Sequence, residues 1–208
     1  METQPARTDE KETGRLESFS DGVFAIAITL LALNLNIPHL GGGGSTKALS
    51  DALGRQWPSY VAFVTSFFTI LVMWVNHHKV FKLIQRPSAR LMYANGFLLM
   101  MTTAVPFSTG LLSEYFGLPG ARLACAVYAG TFVLISVGYI LVWQSLLHDR
   151  ALLKGDVSEN TIETISRNYR LGTPLYLVAM LAAFFSVYVS VGICTALWIF
   201  WAATTKNT

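Results

Sequence analysis

Residues 15–37 read RLESFSDGVFAIAITLLALNLNI, and this stretch decides the fold. It opens on Arg15, Glu17 and Asp21, then runs without charge from Gly22 to Ile37. A single bilayer crossing needs about 20 mostly apolar residues. The run is too long for the core of a signal peptide, and no small-x-small cleavage site closes it. It therefore reads as a retained first span, about 16–37, stopped by Pro38 and the glycines Gly41 to Gly44. The rest of the chain repeats the pattern. Of its residues 53% are hydrophobic and 13% charged, against about 25% charged in an average soluble domain. The charges collect in patches between long apolar runs, which fits an all-α integral membrane protein and not a soluble core.

Further spans are expected at about 57–78, 89–112 and 122–147. A continuous apolar stretch at 171–203 is too long for one crossing and is expected to hold two, divided by a turn near Ser190 to Gly192. The domain plan is then a cytoplasmic segment 1–15, a six-helix membrane domain 16–203 and a cytoplasmic tail 204–208. Loop charges test this plan. Twelve Lys and Arg (three before the first span, four after the second, four after the fourth, and Lys206) would lie on one side, against Lys47, Arg55 and Arg122 on the other. That bias puts both termini in the cytoplasm, which requires an even number of spans. The glycine run makes the first external loop flexible. No internal repeat relates the two halves.

On a helical wheel with about 100° per residue and Ile26 at zero, Leu33, Leu30, Ile37, Gly22, Thr29 and Asn36 all lie within about 80° of it. Ser20 and Asp21 fall on the other side, at about 120° and 220°. A carboxylate near the membrane is costly and faces protein or water. Asp21 therefore reads as an anchor to other helices. The Gly22, Ile26 and Thr29 face has two readings. One is a packing seam of small and hydroxyl residues. The other is a pore lining, with apolar rings that gate by dewetting and Thr29 oxygens beside them.

Arg15, Phe19-Ser20-Asp21 and Ala25 form the pattern R-x-x-x-F-S-D-x-x-x-A. This resembles the signature of the transmembrane protein 175 potassium-channel family. The expected six-span plan and the segment Trp74-Val-Asn76-His77-His78 also look like its prokaryotic members. The resemblance implies a potassium-permeable homotetramer in the cell membrane, lined by the first helix and lacking a TVGYG filter. It implies a constriction at Ile26, Leu30 and Leu33, with Thr29 contributing to potassium preference. It also implies a hydrogen-bonded network holding the pore helix, carried onto Arg15, Phe19, Ser20, Asp21, Trp74, Asn76 and His77. Potassium would be the permeant ion, and no cofactor is implied.

Other residues point to less. His77 and His78 are adjacent, so they cannot share a metal in the i,i+4 manner. Cys125 and Cys194 lie in apolar runs and are expected to be free, buried thiols. Pro106 reads as a structural kink. Trp57, Trp143, Trp198 and Trp201 fit interfacial belts. The fourth span lacks the repeated arginines of a voltage sensor. No nucleophile–base pair, phosphate loop or zinc motif is present, so an enzyme is not expected, and the small net charge of +3 does not suggest nucleic acid. Asp21 and the histidines leave a proton-coupled secondary transporter as the alternative. Against it, such carriers show internal repeats and broken helices.

Overall fold

A computed structural model describes residues 4–40 and 45–205. Gly41 to Gly44 and Lys206, which entered the loop readings above, lie outside the described residues. The helices are α1 (Gln4–Leu30), α2 (Thr46–Arg55), α3 (Trp57–Phe81), α4 (Ala89–Thr103), α5 (Val105–Tyr115), α6 (Ala121–His148), α7 (Glu159–Ala182) and α8 (Val187–Thr205). Among the described residues the one extended pairing is an isolated bridge between Ile84 and Leu153. Among the described residues, five stretches are long and apolar enough to cross a membrane: Lys11–Asn34, Trp57–Phe81, Ala89–Tyr115, Ala121–His148 and Val187–Thr204. α7 falls short of that measure because its first half, ENTIETISRNYR, is polar.

Several boundaries differ from expectation. The first helix begins at Gln4 rather than near residue 16, and its α-helix ends at Leu30. A 3-10 turn, Leu31–Asn34, follows, and Leu35 is already extended. Ile37 therefore lies beyond the helix on which the wheel placed it. The third span is broken at Ala104. Pro106 has no N–H to give and its ring crowds the carbonyl four residues back. The Pro106 carbonyl itself accepts a 2.9 Å bond from Asn34 Nδ2. Gly110 permits that approach, since a Cβ there would lie 2.6 Å from Asn34 Oδ1.

The split of the last apolar stretch comes earlier than Ser190 to Gly192. α7 ends at Ala182 and α8 begins at Val187. Ser190 sits inside α8 and its hydroxyl donates to the Ala179 carbonyl at 2.7 Å, tying the two helices together. α7 also starts a full three turns before residue 171, where Ser158 caps it by accepting from the Thr161 N–H. The short helix α2 was not anticipated. The Ser45 hydroxyl caps it by accepting from Ala48 N–H at 3.2 Å. Both cysteines are buried and unpaired. Trp143 is 3% exposed and donates to Ser166.

α6 forms the centre of the bundle. Tyr128, Phe132, Ile135, Tyr139 and Leu146 are buried on it, and α4 and α7 lie against it. The helices come close because small residues sit at the crossings. At Gly138 an added Cβ would stand 3.0 Å from the Leu98 backbone Cα. Gly138→Ala must therefore push α4 and α6 apart, and overpacking of this kind costs about 1–3 kcal/mol. The thermal midpoint in detergent, followed by size-exclusion chromatography, is expected to fall. An unchanged midpoint would contradict the close crossing.

Candidate functional site

α1 is held by one side only. Ser20, Phe24, Ala27 and Leu31 are all buried, at spacings of four, three and four that trace one helical face. That face packs on α3 and α4. Ser20 and Asp21 lie near its polar end, and both hydrogen-bond outside the helix.

Trp74 Nε1 on α3 donates to Asp21 Oδ1 at 2.8 Å. The Ser20 hydroxyl donates to the Leu16 carbonyl at 2.8 Å and accepts from Asn95 Nδ2 on α4 at 2.9 Å. Asn95 Oδ1 in turn meets His77 Nε2 at 2.9 Å. An amide oxygen can only accept, so His77 carries its proton on Nε2. This chain of bonds ties three helices together. His77 also stacks on Phe81, with ring centroids 4.0 Å apart. One residue further on, His78 Nδ1 contacts Glu17 Oε1 at 2.7 Å while its ring stacks on Trp74. Asn95 and the Glu17–His78 pair were missed from the sequence. Asn95 is a lone amide within an apolar span, and such groups normally have a partner; that was the available signal.

The other residues named with this network lie elsewhere. Asn76 donates to the Val72 carbonyl of its own helix at 3.0 Å. Arg15 is exposed, and Phe19 is 64% exposed. Both fall on the opposite side of α1, in line with Gly22, Ala25, Ile26, Thr29, Leu30 and Leu33, all exposed. Ile26 is 59%, Leu30 41% and Leu33 75% exposed. The chain thus presents an uncovered apolar stripe along its first membrane helix, opposite the anchored face.

Two details shape this stripe. The 3-10 turn at Leu31–Asn34 brings residues three apart into register, so Leu33 stands nearly in line with Leu30. The Thr29 hydroxyl donates to the Ile26 carbonyl at 2.9 Å. Its proton is thereby occupied, which leaves the oxygen of this exposed side chain free to act as an acceptor.

A polytopic helical membrane protein with one anchored helix that bares its far face is the class this architecture defines. Within that class the comparisons are specific. Residues 15–106 match the family model described as "Endosomal/lysosomal potassium channel TMEM175". A potassium channel of Chamaesiphon minutus is 47% identical over 93% of this chain and 95% of its own length. A potassium channel of Streptomyces collinus is 41% identical over 84% of each chain. The crystal structure of a lysosomal potassium-selective channel TMEM175 homolog from Chamaesiphon minutus superposes with a TM-score of 0.85 at 47% identity, covering 94% of this chain and 98% of that one. The chain belongs to the TMEM175 family.

The network predicts its own weak point. Asn95→Leu would leave the buried His77 N–H and the Ser20 oxygen without this partner. Unsatisfied buried polar groups cost about 1–3 kcal/mol each. A lowered thermal midpoint in detergent is expected, and retention of the wild-type value would show that the network contributes nothing to stability.

Proposed function

We propose that this protein is a potassium-permeable channel of a prokaryotic cell membrane, formed by four copies with α1 of each facing a common axis. The single observation that carries the reading is the uncovered stripe of Ile26, Leu30 and Leu33 opposite the anchored face of α1. A closed ring of copies would bring the stripe of each chain to one shared axis. The number four comes from the family resemblance. In the same reading α7 counts as a sixth span, both termini are cytoplasmic, and the basic ends of α1 and α3 face the cell interior.

In such a ring the stripe supplies three apolar girdles. Ile26 to Leu30 is a rise of about 6 Å along an α-helix, and Leu30 to Leu33 is about 6 Å along a 3-10 turn. Apolar constrictions of this kind gate by dewetting. Thr29 stands between the first two girdles. Its acceptor oxygens, one from each copy, form a ring that can replace part of a cation's water shell. Arg15 and Phe19 stand at the inner mouth, where their partners would come from a neighbouring copy. Asp21 is occupied by Trp74 and serves as an anchor rather than an ion site.

Two measurements follow. The detergent-solubilised complex should have about four times the 22.9 kDa chain mass, and in liposomes it should pass potassium. Ile26→Ala is expected to raise flux, while Thr29→Val is expected to lower the preference for potassium over sodium severalfold. A well-folded oligomer that passes no cation would overturn the proposal. A saturable, proton-dependent flux would favour the transporter.

A further inference from the structure

A second feature lies on the other side of α3. A cavity of about 370 Å³ opens between α3, α6, α7 and α8. Along α3 its wall runs from Thr69 to Lys82, about 20 Å at helical rise. The cavity is therefore long and narrow, with room for one chain-like group and not for a globular ligand. Its two ends differ in chemistry. Lys79 and Lys82 line the end nearest the polar start of α7, and among the described residues none that lines the cavity is acidic. The other end is walled by Ile135, Tyr176 and Trp198. The Trp198 indole nitrogen is buried and has no hydrogen-bond partner among the described residues.

We propose that this cavity binds an anionic membrane lipid, with its phosphate against Lys79 and Lys82 and one acyl chain lying along α3. A basic pocket between membrane helices is the usual seat of an anionic headgroup, and the volume falls in the range of small-molecule sites. The exposed end of the site is cationic and the deep end aromatic, which matches the polarity of a phospholipid taken from head to tail. The placement also gives the lipid a consequence. Val72, Met73 and Asn76 line the cavity, while Trp74, His77 and His78 on the same helix hold α1 and α4. An occupied cavity braces the helix that anchors α1.

Native mass spectrometry of the purified oligomer tests this directly, with phosphatidylglycerol, phosphatidylcholine of the same chain length and inorganic phosphate as probes. The protein should retain phosphatidylglycerol over phosphatidylcholine. The double variant Lys79→Gln, Lys82→Gln should lose roughly tenfold or more of that affinity while holding phosphatidylcholine as the wild type does. Gly172→Leu, which projects from α7 toward Ser136 and Trp201, should block the chain and weaken phosphatidylglycerol binding with both lysines intact. Equal retention of the two lipids, full retention by the lysine variant, or displacement of phosphatidylglycerol by inorganic phosphate would each overturn the assignment.

Discussion

The hydrogen bond from Trp74 to Asp21 fixes the rotation of α1, and much else depends on that rotation. A carboxylate at the edge of a bilayer needs a donor from protein or water. Here the donor is an indole N–H at 2.8 Å from the neighbouring helix. The adjacent Ser20 hydroxyl is buried and bound to Asn95. Two successive residues thus point into the subunit. Helical geometry then requires Ile26, Leu30 and Leu33 to point out of it. The apolar stripe is bare because the polar pair is satisfied on the far side.

The rest of the bundle makes that anchor firm. Trp74 and His77 can hold α1 only if α3 is itself fixed. Behind them, the Tyr139 hydroxyl of α6 donates to the Met73 carbonyl at 2.6 Å. Further along α3, Ser66 bonds both Thr109 and Tyr128, and Thr65 meets Thr195. Each of these bonds crosses between helices, where leaving a buried polar group unpaired is costly. The chain therefore distributes single hydroxyls along an otherwise apolar core, and each sets one helix against another. The cavity beyond Met73 carries Lys79 and Lys82 at its rim and is walled along its length by α3, which is why a ligand there would act on α3.

Much of the fold was legible because membrane helices announce themselves by length and absence of charge. The segments at 57–78 and 122–147 match α3 and α6 to within a few residues. What failed were features set by tertiary context. The break between α7 and α8 lies at 183–186, where no glycine or proline marks it, whereas Gly192 was accommodated within α8. The start of α7 was hidden by its polar sequence, since a helix outside lipid needs no apolar run. The two faces of α1 were readable from the wheel, but the switch to 3-10 geometry at Leu31 was not; that turn packs against α5 and α3, neighbours that exist only once the bundle is assembled. Within the network, Trp74 and His77 were named from the family pattern. Asn95 was not, because an amide that bridges two helices is invisible until both are placed.

The central claim is that the bare face of α1 lines the conduction path. Single cysteines introduced along α1 and treated with a charged thiol reagent during potassium flux test it most directly, since both native cysteines are buried. Modification at Gly22, Ile26, Thr29 and Leu33 should block flux, while Phe24 and Ala27 positions, buried against the subunit, should stay silent. Flux that persists after complete modification of the stripe would contradict the account.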